Sequence, residues 1–219
     1  MSFLLSAGAI DTIPDSGDLY ARYDWREASG TTTVADQTGG GHDLTGSYTG
    51  PSETINGNQA GAFDETDDVL TVDFTAVSQP YTIFMVWRPQ NVGTASEYPI
   101  DGGTENEGAY RAGSGDWALN AGGGTVTDNN DVPDGTDVIG EVLFDGANSA
   151  GRANDTEVVA GNPGSDDLTG LTINQRGDRS DANLAGWTWG EILVYPSDKT
   201  GIRQDVYDYF ESGWGSILP

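Results

Sequence analysis

Apolar residues along this chain fall in short runs separated by clusters of Gly, Asp, Asn and Pro. That is the spacing of strands and turns. The clearest run, Tyr81–Arg88 (YTIFMVWR), is apolar at both alternating positions, as expected of a central strand covered on both faces. Val138–Phe144 (VIGEVLF) is a second long strand. Further strands are expected over 19–25, 59–63, 69–74, 98–100, 109–112, 117–120, 171–174 and 187–195. The stretch ANDTEVVAG reads as a hairpin with Asn154 and Asp155 at its turn. One helix is expected over 197–212. Ser197 would cap it and Asp198 would suit its first turn. Ile202, Val206, Tyr209 and Phe210 form one apolar stripe, and Gly213 would stop it. Trp214 would fold back as an anchor. Residues 1–17 read as an N-terminal arm.

No linker, repeat or compositional break divides the 219 residues, so 1–219 is expected to be one all-β sandwich domain. Apolar content is only 36%, but it is organised into strands that can bury a core. Charge changes the picture more. Nine Lys and Arg stand against 35 Asp and Glu, a net charge of −26. Lys199 is the only lysine, and 25 of the acids are Asp. The balance resembles that of proteins from organisms that live in molar salt. At about 1 M salt the Debye length is roughly 3 Å, so spread carboxylates barely repel one another. High charge then keeps the protein soluble. The same charge speaks against nucleic acid, whose binders need a basic footprint, and against anionic membranes. There is no cysteine, hence no disulfide and no thiolate chemistry. No apolar run is long enough to cross a membrane as a helix. MSFLLSAGAI lacks a basic n-region and is read as a mature N-terminus.

Several motifs carry a family resemblance. VADQTGGGHDLTG is similar to a D-x-(S/T)-G-x-G-x-D-L-T turn. AFDETDDVLTV is similar to an F-D-G-x-D-D-x-L turn and strand, with Glu65 in place of the usual Gly. EILVYPSDKTGIRQDVYDYFESGWG is similar to a closing strand, short helix and final aromatic-Gly. With YTIFMVWRP, these span about residues 18 to 215. In order and spacing the chain resembles a laminin-G-like domain of the concanavalin A-like lectin/glucanase superfamily, of haloarchaeal or haloarchaeal-virus type. The resemblance implies a jelly-roll β-sandwich of two antiparallel sheets. It does not by itself imply an activity.

Candidate chemistry is sparse. Asp64, Glu65, Asp67 and Asp68 fall within five residues, and Glu65-Thr66-Asp67 opens the E-x-D-x-x-E pattern that carries catalytic carboxylates in related glucanases. Leu70 occupies the last acid position, and the acids precede the strand, so a solvated turn is expected rather than a hydrolase site. His42 is the only histidine and there is no G-x-S-x-G, which leaves no nucleophilic triad and no zinc set. No cofactor is expected. Ca²⁺ is the one candidate ion, with Asp36, Asp64, Asp67 and Asp68 as ligands. Asp134, Gly135 and Glu141 match EF-hand positions by chance. Arg176 to Asp178 spells RGD, and Asn154-Asp155-Thr156 is a glycosylation sequon. Among the aromatics, Trp87, Trp187 and Trp189 are expected in the core. Tyr110, Arg111 and Trp117 lie in short Gly-rich segments and are the candidate glycan or partner contacts.

The expected function is a non-catalytic virion surface protein, a capsid decoration or tail component with a lectin-like interaction domain in high salt. Its partners would be other virion proteins or copies of itself, with surface glycans besides, and neither nucleic acid nor membrane insertion. The alternative is a secreted or cell-surface carbohydrate-binding module.

Overall fold

The computed structural model describes residues 12–90, 97–104, 107–111, 116–122, 124–131, 134–177, 184 and 186–219; for 109–111 and 128–131 it describes the backbone alone. The first strands are β1 (Ala21–Asp24), β2 (Thr33–Val34), β3 (Leu44–Ser47), β4 (Gly50–Ile55) and β5 (Asn58–Ala62). Next come β6 (Val69–Val77), β7 (Tyr81–Arg88), β8 (Ile100–Asp101), β9 (Ala109–Arg111), β10 (Asp116–Asn120) and β11 (Thr125–Asp131). The last are β12 (Val138–Phe144), β13 (Ser149–Ala153), β14 (Thr156–Gly161), β15 (Leu168–Ile173) and β16 (Thr188–Tyr195), followed by helix α1 (Arg203–Trp214).

The strands pair antiparallel in three sheets. The large sheet runs β14-β13-β12-β7-β16-β5-β4, with β1 also on β16. A five-stranded sheet runs β2-β3-β6-β15-β8, and β9, β10 and β11 form a third. Alternation along β7 explains the layering. Tyr81, Ile83, Met85 and Trp87 enter the main core, where they meet Leu70 and Phe74 of β6, Leu171 and Ile173 of β15, and Trp117 and Leu119 of β10. Phe84 and Val86 point the other way and join Leu193, Val206, Tyr207, Phe210 and Trp214 in a second cluster beneath α1. This is the expected sandwich with one C-terminal helix, and it explains why β7 reads as apolar on both faces.

The helix differs in its ends. A 3₁₀ turn occupies Thr200–Ile202 and α1 starts at Arg203, with no side-chain cap. Ser197 is not the cap because its hydroxyl donates to Asp18 at 2.9 Å. Gly213 lies inside the helix, which ends at Gly215 with φ of 79°. Trp214 is the expected anchor. It is fully buried, and its indole N–H donates to Glu191 at 2.9 Å.

Two buried carboxylates tie α1 to the sheet. Glu191 on β16 accepts from Arg22 Nε (2.8 Å), Arg26 Nη2 (3.0 Å) and the Tyr209 hydroxyl (2.7 Å). Both arginines also hold Asp24, and the Arg26 guanidinium lies 4.5 Å from the centre of the Trp214 ring. Glu141 on β12 is paired with Arg203 at the first turn of α1. It therefore cannot serve as the EF-hand-like ligand suggested by its spacing from Asp134.

Candidate functional site

One end of the sandwich gathers most of the sequence-derived candidates. Here β7 ends at Arg88, β16 begins at Thr188, β5 ends at Ala62 and β12 begins at Val138, all in register. The acidic turn between β5 and β6 sits at this end. Asp64 Oδ1 accepts from the Thr66 and Asp67 N–H groups at 2.8 and 3.2 Å, a side-chain-mimicked turn. Asp68, buried, accepts on Oδ2 from Asp64 N (2.8 Å), Thr49 N (2.8 Å) and Thr49 Oγ1 (2.7 Å). Asn174 closes the corner by donating to the Asp68 carbonyl at 2.8 Å. The cluster is thus a hydrogen-bonded strand corner, and Leu70 beside it is fully buried in the core.

The carboxylates of Asp64, Asp67 and Asp68 do converge, with one oxygen of each within 4.8 Å of the others. Their hard oxygens suit Ca²⁺, but Asp68 Oδ2 is already engaged by three donors within the corner. Asp36, the fourth expected ligand, is elsewhere, in the turn before β3. Its carboxylate accepts from Arg22 N, Thr38 N, Thr38 Oγ1 and His42 N. Burial alone would raise its pKa. The donors of Thr38, Arg22 and His42 outweigh burial and hold it below the usual Asp value. His42 is a turn residue, its ring stacked on Tyr20 at 4.7 Å and its carbonyl accepting from the Tyr23 hydroxyl at 2.7 Å.

The aromatic candidates separate. Trp117 is 1% exposed and packs against Trp87 with ring centres 5.6 Å apart, so it cannot be a rim contact. The reason is register. Trp117 and Leu119 take the inward positions of β10, and the surrounding glycines made the segment look peripheral. Tyr110 and Arg111 lie on β9, opposite Ala118 and Trp117, and their side chains fall outside the described residues. Trp87, Trp187 and Trp189 are core, as expected, stacked at 4.5 and 5.7 Å. Indeed all six tryptophans are buried. The RGD tripeptide offers no free loop at its centre, because Gly177 is buried with its N–H on Asp101 Oδ2 at 3.0 Å. Asn154 and Asp155 form the expected hairpin turn, with φ of 48° and 61°.

A feature that sequence reasoning missed lies on the outer face at the same end. Glu53 on β4, Arg88, Gln90, Asp134 and Gly135 line a polar cleft of about 370 Å³. No motif marks it, because its residues come from three separate stretches of chain.

Carboxylates with perturbed acidity are poor catalytic candidates here. Glu191 is pushed up by burial and by Asp24, against the pull of Arg22, Trp214 and Tyr209. It is fully buried between sheet and helix, out of reach of a substrate.

No protein-family model and no curated protein matches the chain. Solved structures do. Trypanosoma rangeli sialidase in complex with sialic acid superposes with a TM-score of 0.66 at 8% identity, over 90% of this chain and 33% of that one. The botulinum neurotoxin serotype D ligand-binding domain, in complex with N-acetylneuraminic acid, gives 0.63 at 10% identity, over 93% and 55%. Domain 4 of AbnA, a GH43 extracellular arabinanase from Geobacillus stearothermophilus in complex with arabinotriose, gives 0.55 at 15%, over 88% and 98%. The chain therefore spans a third of the sialidase and nearly all of the arabinanase domain. At these identities the likeness establishes the fold alone, an antiparallel jelly-roll β-sandwich.

Proposed function

We propose that the chain is a non-catalytic, lectin-like carbohydrate-binding module with a surface adapted to concentrated salt. The observation that carries this reading is its superposition on nearly the whole of domain 4 of an arabinanase, solved in complex with arabinotriose. Seven of the buried acids agree with it. Buried Asp24, Asp36, Asp68, Asp101, Glu107, Glu141 and Glu191 are each occupied by hydrogen-bond donors or arginines, which suits structural acids.

A glycan array probed in molar KCl tests the reading. Retention on a defined subset of glycans is expected, and failure to bind any would contradict it. The virion surface of a high-salt host is the proposed location; the acidity of the chain supports the concentrated salt of that setting. Co-purification with capsid or tail proteins in molar salt would bear it out. Recovery on a cell surface or within a longer secreted polypeptide would replace it with the adhesion-module alternative.

A further inference from the structure

The outer face of the large sheet is divided between α1 and the polar cleft. Along β7 the outward positions Phe84 and Val86 are covered by the helix cluster, and Trp214 in the last turn packs on Gly190. The next outward position is Arg88, which lines the cleft with Glu53, Gln90, Asp134 and Gly135. The space, about 370 Å³, is open to solvent and lined mainly by polar groups.

Two of its polar side chains, Arg88 and Gln90, are held in place by the fold. Arg88 Nε donates to Asp137 Oδ1 at 2.7 Å, and Arg88 Nη2 donates to the Thr54 carbonyl at 2.9 Å. Gln90 Nε2 donates to Thr188 Oγ1 at 2.8 Å. Among the described residues this leaves Arg88 Nη1 without an acceptor and Gln90 Oε1 without a donor. Among the described residues, no donor reaches the carboxylates of Glu53 or Asp134. The cleft therefore presents one anchored donor among several acceptors.

A sugar hydroxyl donates and accepts at once, so a vicinal pair of hydroxyls matches such a wall. An acidic sugar does not. It would face Glu53 and Asp134, while the charge of the one arginine is already shared with Asp137.

We propose that this cleft binds a neutral, hydroxyl-rich saccharide unit and discriminates against sialylated or uronic sugars. The proposal rests on the lectin-like reading and names its site and ligand class. Two structural neighbours were solved with sialic acids, and the charge of this cleft points away from that ligand.

The test is calorimetric titration of the full chain in molar KCl. The probes are neutral oligosaccharides, arabinotriose among them, each set against an acidic counterpart, with N-acetylneuraminic acid as the free acid. Neutral members should bind at least about tenfold more tightly than their acidic counterparts. The double variant Glu53→Ala/Gln90→Ala should lose about tenfold in affinity with its thermal midpoint retained. Asp134→Lys should narrow the gap between neutral and acidic members. Preference for acidic sugars would overturn the proposal. So would neutral binding unchanged in both variants, which would leave the lectin-like reading standing on another surface. Absence of binding to every probe would overturn both.

Discussion

Three indole edges rest on glycines of neighbouring strands: Trp25 on Gly61, Trp87 on Gly140 and Trp117 on Gly151. A Cβ at Gly151 would collide with the Trp117 indole and with Val159. Gly151→Ala should therefore destabilise the fold by about 1–3 kcal/mol through overpacking, read as a lower denaturant midpoint. An unchanged midpoint would mean that β13 shifts freely, contrary to the packing described. Trp117→Ala should cost more, about 3–5 kcal/mol, by leaving a cavity. Any loss of glycan binding in that variant should follow its loss of stability. Asp36 gives a pH signature. Its folded pKa is depressed, so its contribution is complete above the ordinary Asp value of about 3.9 and is lost as pH falls through the folded value. Asp36→Asn should cost about 1–3 kcal/mol at neutral pH, and the gap to wild type should close as the medium is acidified below that range. A gap independent of pH would contradict the account. At this scale the sequence was only partly legible. Leu70 correctly argued against a hydrolase, because a missing acid is visible in one dimension. The burial of Trp117 was not, because glycines admit both an exposed turn and a bulky neighbour.

The helix is held to the sheet by charge as well as by apolar area. Arg203→Ala would leave Glu141, 1% exposed, without its cation. The cost of an uncompensated buried charge is about 3–5 kcal/mol, and it should appear as early loss of α1 in hydrogen exchange. Protection of α1 equal to wild type would count against the clamp. Both acids announced themselves faintly, as a lone Glu inside VIGEVLF and inside WTWGEILVY. A single acid in a doubly covered strand needs a cation, although its partner cannot be read from spacing. Strand legibility follows the same logic. β7 and β12 were found with their observed bounds because both faces are buried. β2, β3, β4 and β11 were missed because their Thr-, Gly-, Ser- and Asn-rich sequences lack the apolar alternation that burial imposes. The polar cleft was illegible for a related reason, since Glu53, Arg88 and Asp134 are far apart in sequence and meet only in the folded chain.

The whole molecule carries a net charge of −26 and uses its few cations as staples. Arg22, Arg26, Arg88, Arg152, Lys199 and Arg203 each contact a carboxylate. Little positive charge is left to offset the remaining acids, so dilute buffer should destabilise the fold by self-repulsion. The thermal midpoint should rise steadily from dilute buffer to molar KCl, and indifference to salt would contradict the proposed adaptation. The central claim is binding without cleavage. It is tested most directly by passing neutral oligosaccharides over the immobilised chain in molar KCl and identifying what elutes after prolonged contact. The account predicts a retarded fraction recovered at its original length. Shortened products, or elution of every oligosaccharide with the void volume, would contradict it.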